Sequence, residues 1–232
     1  MKTIFLNIWH GNRRVELTDF LQQQIPTTDV FCFQEADPAI RQELRKILPG
    51  FTEYSHDKDL GGGVEFAIAT YVKNGLEVTN VHTLLADTPD TGIVLVTNIQ
   101  GGDEFVTVVN VHGFYYLRDD HKLDTPGRLV QSETVIKAFR DAKQPVIVGG
   151  DFNLSPEADS IQMFSRAGYQ DLIADHQIRT TRNRLVWERY PDTPQYYADY
   201  AFTGPNIRVR EFSVPENEVS DHLPLIVEFD SL

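Results

Sequence analysis

Apolar and polar positions along the chain follow two periods that change place several times. Thr3 to Trp9 is an apolar run and reads as a strand. From Asn12 to Ile25, Val15, Leu17, Phe20, Leu21 and Ile25 recur at roughly helical spacing, and Pro26 closes that helix. Asp29 to Gln34 is a second buried strand, followed by a helix from Pro38 to Leu48 that Pro49-Gly50 ends. The middle is β-rich, with candidate strands at Phe51–Ser55, Val64–Val72, Leu76–Leu85, Ile93–Ile99 and Glu104–Val111. Gly61-Gly62-Gly63, Asn74-Gly75, Pro89 and Gly101-Gly102 punctuate them, the signature of antiparallel hairpins.

The second half repeats the order of the first. A loop from Gly113 to Thr125 leads to a helix over Pro126–Ala142 with proline at its first turn, then to the buried strand Pro145–Gly150. A helical pair over Pro156–Ile178, a polar loop and strands near Tyr196–Phe202, Ile207–Phe212 and Leu223–Phe229 complete the chain. No linker, low-complexity tract or composition break interrupts residues 1–232, so a single domain is expected. The pattern predicts an α/β fold: a four-layer α/β sandwich, two mainly antiparallel β-sheets packed face to face with helices outside.

Composition narrows the function classes. The 232 residues include 21 Lys and Arg against 34 Asp and Glu, a net charge of −13, which excludes a uniformly basic nucleic-acid-binding surface. The single cysteine, Cys32, lies in the apolar run Val30–Phe33, so neither a disulfide framework nor a thiolate zinc cluster is available. No apolar stretch approaches the roughly 20 residues that cross a bilayer, and Ile4-Phe5-Leu6 is too short for a secretory core. A cytoplasmic monomer with no membrane partner is therefore expected.

The chemistry lies at strand ends. Asn7, Glu35, His112, Asp151 with Asn153, Asp199, and Asp221-His222 each follow or interrupt an apolar run. Singly, each reads as a turn former; a carboxylate inside the aromatic strand Ala198–Phe202 is costly unless paired or liganded. Together, carboxylates and carboxamides with no thiolate suit a hard divalent ion such as Mg²⁺ or Mn²⁺. Two histidines add proton-transfer groups near neutral pH. The combination suits metal-assisted hydrolysis of a phosphate ester. Gly61-Gly62-Gly63 precedes a strand rather than a helix, and reads as a flexible hairpin turn rather than a phosphate cradle. A Walker lysine, a G-x-S-x-G elbow and an H-E-x-x-H motif are all absent.

Leu6-Asn7, Gln34-Glu35, Asn110-Val111-His112-Gly113, Gly150-Asp151-Phe152-Asn153, Asp199-Tyr200 and Ser220-Asp221-His222 run in one order over nearly the whole chain. In that order they resemble the endonuclease/exonuclease/phosphatase superfamily of DNase-I-like phosphoesterases, in a small bacterial-type form. The resemblance implies the same four-layer sandwich. It implies Glu35 as principal metal ligand, Asn7 beside it, and Asp221 ligating metal or orienting His222. His222 would contact the scissile phosphate or act as base, and Asp151 would position or deprotonate the attacking water. Asn153 would bond a phosphate oxygen, Asp199 would orient a histidine or the phosphate, and His112 would serve as acid or phosphate contact. Tyr197 stands where many members carry an arginine or another long residue. The loop Phe114–Arg128, with Lys122, Asp124 and Arg128, is similar to small bacterial members.

Substrate contacts are expected from Arg13, Lys122, Arg128, Arg182 and Tyr197. Between Arg179 and Tyr190, Arg179, Arg182, Arg184 and Arg189 oppose only Glu188, and Trp187, Tyr190, Tyr196 and Tyr197 lie among or just beyond them. Such a segment suits unpaired bases, by phosphate contact and stacking; the competing reading is a solvated loop whose arginines pair with nearby acids. The leading expectation is a Mg²⁺- or Mn²⁺-dependent phosphoesterase that cleaves a phosphodiester in nucleic acid. The alternatives are a phosphatase or phosphodiesterase for a small soluble ester, and a non-catalytic binding member.

Overall fold

In the computed structural model, residues 1–59, 65–101, 104–115 and 122–232 are described. The glycine run at 61–63 and the part of the Phe114–Arg128 loop at 116–121 lie outside them. The chain enters through β1 (Lys2–Asn7), α1 (Arg14–Gln24), β2 (Val30–Gln34) and α2 (Pro38–Ile47). Five strands follow: β3 (Phe51–Asp59), β4 (Glu65–Lys73), β5 (Glu77–Leu84), β6 (Ile93–Gly101) and β7 (Glu104–His112). Then come α3 (Pro126–Phe139), β8 (Val146–Asp151), α4 (Asp159–Arg166), β9 (Gln170–Asp171), α5 (Leu172–Asp175) and α6 (Arg184–Arg189). The strands β10 (Asp199–Thr203), β11 (Ile207–Ser213) and β12 (Leu225–Ser231) finish it.

Two six-stranded sheets form, in the orders β11-β12-β1-β2-β4-β3 and β5-β6-β7-β8-β10-β9. Each is antiparallel except for one central parallel pair, β1 with β2 and β7 with β8. A parallel pair needs a crossover, and α1 and α3 supply it. This is the internal repeat visible in the sequence.

Alternation along β1 and β2 builds the layers. Ile4, Leu6, Phe31 and Phe33 pack with Leu17, Phe20, Leu21, Ile40 and Leu44 of α1 and α2. Phe5, Val30 and Cys32 point the other way and join Val94, Val108, Val148 and Phe152 of the second sheet. Phe164 and Phe202 stack at 4.3 Å and Phe152 meets both edge-on at 5.6 Å, carrying the core out to α4. Two sheets between two helical layers is the four-layer sandwich expected.

Local boundaries differ in three places. The strand expected to stop at Ser55 continues as β3 to Asp59, because His56–Asp59 pair with Glu65–Ile68 of β4. The helical pair expected over Pro156–Ile178 is α4 and the single turn α5, separated by the two-residue strand β9. The polar loop after it contains α6, started by Asn183, whose side chain accepts from the Leu185 N–H. Among the described residues, no helix is long and apolar enough to cross a membrane.

Lys58 ends β3 with its ammonium enclosed by five oxygens of the 85–92 segment. Leu85 O and Thr88 O accept at 2.7 Å, Thr91 O and Gly92 O at 2.9 Å, and Thr91 Oγ1 at 3.1 Å. The segment it ties down leads into β6, so one side chain fastens the first sheet to the second. Lys58→Met leaves those carbonyls without their donor and is expected to lower stability by on the order of 2 kcal/mol. Urea denaturation measures this, and an unchanged midpoint would contradict the structural role.

Candidate functional site

The two parallel pairs end side by side. In the first sheet Asn7 is in register with Gln34, and Glu35 follows at φ 53°. In the second, His112 is in register with Asp151, and Asp151 with Asp199. A buried polar tie holds these ends together: Gln34 Nε2 donates to Asn110 Oδ1 at 2.5 Å. Asn110 Nδ2 in turn donates to the Ala69 carbonyl at 3.1 Å. Gly150 adopts φ +128°, and a Cβ there would meet the Val111 carbonyl and Gln34 Nε2. Gln34 and Asn110 stand in the motifs quoted above, but their bracing role depends on inter-sheet contact, which spacing does not show.

Above the tie, carboxamides orient the carboxylates. Asn7 Nδ2 donates to Glu35 Oε1 at 3.0 Å and to Asp151 Oδ2 at 2.9 Å. Asp151 Oδ1 accepts from the Asn153 N–H at 2.8 Å, and its Oδ2 accepts from Asn153 Nδ2 at 3.2 Å. Burial works against ionisation of Asp151, but His222, Lys122, His112 and Arg182 outweigh it and keep its pKa below the usual range.

His222 contacts both oxygens of Asp199 through Nδ1, at 3.0 and 2.9 Å. A carboxylate accepts only, so Nδ1 carries the proton. Nε2 then faces the centre, 3.8 Å from Asp151 Oδ2 and 3.9 Å from Asp221 Oδ1. Burial and Arg182 oppose the charged ring, yet Asp199, Asp151 and Asp221 prevail and hold its pKa above the ordinary histidine value. His112 behaves oppositely. It is buried against the Phe66 ring, 4.9 Å between centroids, and burial pushes its pKa down despite Asp151, Glu35 and the Ala67 backbone. Among the described residues, neither of its ring nitrogens has a hydrogen bond of normal geometry.

Two groups of side chains place ligand atoms within 4.8 Å of one another: Glu35, His112 and Asp151, and Asp151, Asp199 and His222. The first fits a divalent ion, with two carboxylates, an unengaged imidazole and the Asn7 carboxamide alongside. In the second, Asp199 and His222 are already in contact with each other. Asp221 belongs to neither, because Arg182 holds its Oδ2 at 2.7 Å and its carbonyl at 3.1 Å.

These groups open into a cavity of about 520 Å³, which Lys122, Arg128 and Arg182 also line. Burial, with Arg182 beside it, brings the Lys122 pKa down to about 8, against the pull of Asp151, Asp199 and Asp221. Arg13 does not reach the cavity; Glu16 holds it at 2.5 Å and the Glu218 carbonyl at 3.2 Å. The Tyr197 hydroxyl donates to Ile178 O at 3.0 Å, and its ring lines a smaller adjoining space. Arg184 is tied to Glu218 and Glu188, as the solvated-loop reading holds. Arg189 instead lies 5.7 Å from the Trp9 ring and 5.5 Å from Tyr190, all three at the cavity mouth. A larger cavity of about 720 Å³ beside α3 and α4 contains none of the eight strand-end residues.

Two further residues belong to the site. Trp9, His10 and Gly11 follow β1 in succession with φ of 48°, 54° and 71°. That unusual run turns His10 back so that Nε2 meets Glu35 Oε2 at 3.2 Å and Nδ1 meets Asp37 Oδ2 at 3.3 Å. Trp9 and His10 look like the tail of an apolar strand, and no local signal marks the reversal.

The model of the endonuclease/exonuclease/phosphatase family matches residues 4–222. No curated protein sequence matches the chain. Among solved structures it is similar to a family protein from Bacteroides thetaiotaomicron, with TM-score 0.80, 18% identity, and 99% of this chain and 97% of that one covered. The mannosyl-6-phosphatase of the same organism gives TM-score 0.76 at 18% identity, covering 99% of each chain. D. rerio TDP2 complexed with single-strand DNA product gives 0.74 at 15%, covering 100% and 99%. At these identities the likeness is one of fold.

Asp199→Asn removes the anion facing His222 Nδ1 and should lower the pKa of that ring. A charge-assisted hydrogen bond is worth about 1.5–3 kcal/mol and one unit about 1.4, so the expected drop is about one unit or more. NMR titration of the metal-free protein reads it; an unmoved midpoint would show that Asp199 does not set the charge of His222.

Proposed function

The chain belongs to the endonuclease/exonuclease/phosphatase family, and from that premise we propose that it is a divalent-metal-dependent phosphoesterase working as one catalytic domain. The observation that carries this reading is the convergence of Glu35, Asn7, Asp151 and the His222–Asp199 pair within one hydrogen-bonded cluster. A divalent ion such as Mg²⁺ or Mn²⁺, held by Glu35 with Asp151 and within reach of His112, while Asn7 orients the two carboxylates, would screen the negative charge of the ester.

The remaining work falls to the chain's own side chains. Asp151, ionised and fixed by Asn7 and Asn153, orients an attacking water and takes its proton as the new P–O bond forms. His222, aligned by Asp199, presents Nε2 to a phosphoryl oxygen. Asn153 is anchored by donating to the Gly113 carbonyl at 3.1 Å, which leaves its Oδ1 on the Lys122 side. His112, kept neutral by burial, is available to the departing oxygen.

For the substrate, the geometry favours a small soluble phosphate ester. Lys122, Arg128 and Arg182 converge on a single space of about 520 Å³, enough for one phosphate group and a modest alcohol. Arg13 and Arg184 are neutralised by acids and do not extend that charge along a strand path. A second reading, the end of a single-stranded nucleic acid, is favoured by Trp9, Arg189 and Tyr190 at the mouth, where a base could stack. The solved neighbours include a mannosyl-6-phosphatase and a protein with single-strand DNA product.

Metal-stripped protein should be inert and regain turnover with Mg²⁺ or Mn²⁺. Glu35→Gln should cost on the order of 10³-fold in kcat, several kcal/mol at about 1.4 per decade. Assay on sugar and nucleoside phosphates beside single-stranded, duplex and abasic DNA and RNA assigns the class; turnover undiminished by chelator would overturn the reading.

A further inference from the structure

The Lys122 ammonium is the least satisfied charge in the cluster. The residue is 6% exposed, yet among the described residues its Nζ has a single hydrogen bond, to Asn153 Oδ1 at 3.4 Å. A buried ammonium carries three donors and a large desolvation cost. Arg182, the other cation at the centre, is committed to Asp221 through two contacts; Lys122 keeps its donors for the cavity it lines.

The chain goes to some length to hold it there. Lys122 sits at φ 49°, a left-handed conformation unfavourable for a lysine, and its carbonyl accepts from the Ser155 N–H at 2.8 Å. Two residues on, Asp124 accepts from the Asp159 N–H at 2.6 Å and the Ser160 N–H at 2.9 Å, pinning the loop to the start of α4. Arg128, fully buried, donates to Leu123 O at 2.6 Å and Phe114 O at 3.1 Å. The sequence Lys122-Leu-Asp124-Thr-Pro-Gly-Arg128 is thus a holder whose product is one ammonium placed beside Asp151 and Asn153.

Charge explains why a cation belongs there. Four carboxylates (Glu35, Asp151, Asp199 and Asp221) gather here, and Lys122, Arg128 and Arg182 face them across the cavity. The second metal-capable group, Asp151, Asp199 and His222, has both cations acting on Asp151 and Asp199.

Resting on the metal-dependent phosphoesterase reading above, we propose that Lys122 is the second cation of a one-metal site. Its ammonium takes the place a second divalent ion would occupy beside Asp151 and stabilises the transferring phosphoryl group from that side. The lysine is catalytic by charge and keeps its proton throughout.

The test compares wild type with Lys122→Met and Lys122→Arg. Calorimetric or Mn²⁺ spin-resonance titration of metal-stripped protein should give one tight Mn²⁺ per wild-type chain, one in Lys122→Arg and two in Lys122→Met. On whichever ester the wild type turns over, kcat should fall about 10²–10³-fold in Lys122→Met, the usual loss for one charge-stabilising donor, with partial recovery in Lys122→Arg. Thermal melting checks that each variant is folded; should Lys122→Met fail, Lys122→Gln serves in its place with the same expectations. Two Mn²⁺ per wild-type chain, one in the folded neutral variant, or an unchanged kcat in it would each overturn the proposal. Absence of turnover by the wild type on every ester would instead overturn the phosphoesterase reading, and the Mn²⁺ counts would still decide the place of Lys122.

Discussion

The close approach of the two sheets at the ends of β1–β2 and β7–β8 is the constraint on which the site depends. Gly149 faces the Phe5 ring across the interface, so close that an added Cβ would lie 2.8 Å from it. At Gly150 the backbone runs against the Val111 carbonyl. Only where those two side chains are missing can Asn7 of one sheet reach Asp151 of the other. The Gln34–Asn110 bond lies just below and supplies the polar partners that such a dry junction requires. Interiors are close-packed and transmit small displacements, so an added methyl at either glycine acts on the catalytic distances as well as on stability.

That junction also sets the electrostatics. Asp151, Asp199, His222 and Lys122 are all nearly inaccessible to water, so each must be compensated from within the cluster. The compensation is unequal. Asp199 and His222 satisfy each other and Arg182 satisfies Asp221, whereas Lys122 keeps unused capacity toward the cavity. Unused capacity in a buried charge is expensive, and the strained backbone at Glu35, Asn153 and Lys122, all with positive φ, belongs to the same expense. The groups held at the greatest local cost are those that face a ligand.

The fold and the eight strand-end residues were legible in the sequence because both depend on period and position. A strand of alternating outward and inward residues must end somewhere, and a carboxylate, carboxamide or imidazole at six such ends is conspicuous without coordinates. The reversed turn at Trp9 and His10 was not legible, since a bulky tryptophan at the end of an apolar run announces no positive φ. The reading of Arg13 as a substrate contact failed to foresee Glu16 and Glu218, which absorb it. The arginines of 179–189 divided in the same way: partners distant in sequence decided that Arg184 would be neutralised by Glu218 and that Arg189 would stack on Trp9. Lys122 stood out in the sequence as part of a motif, but that its ammonium would be buried with one hydrogen bond among the described residues, to Asn153, is a fact of three dimensions.

The net charge of −13 takes on a definite meaning once those pairings are known. Surface arginines such as Arg184, Arg208 and Arg210 are bound to acids, and so project little positive field. Lys122, Arg128 and Arg182 instead lie inside the cavity, and charge is screened beyond a Debye length of roughly 8 Å at physiological salt. A polyanion therefore meets a repelling surface at long range and an attracting site only after contact. Such a distribution weakens steering and processive tracking along a strand, while a compact ester with few charges pays little at the surface and gains the full interaction within. On the proposed reading, the acidity that argues against a nucleic-acid-coating protein would act as a filter by size and charge around the cavity.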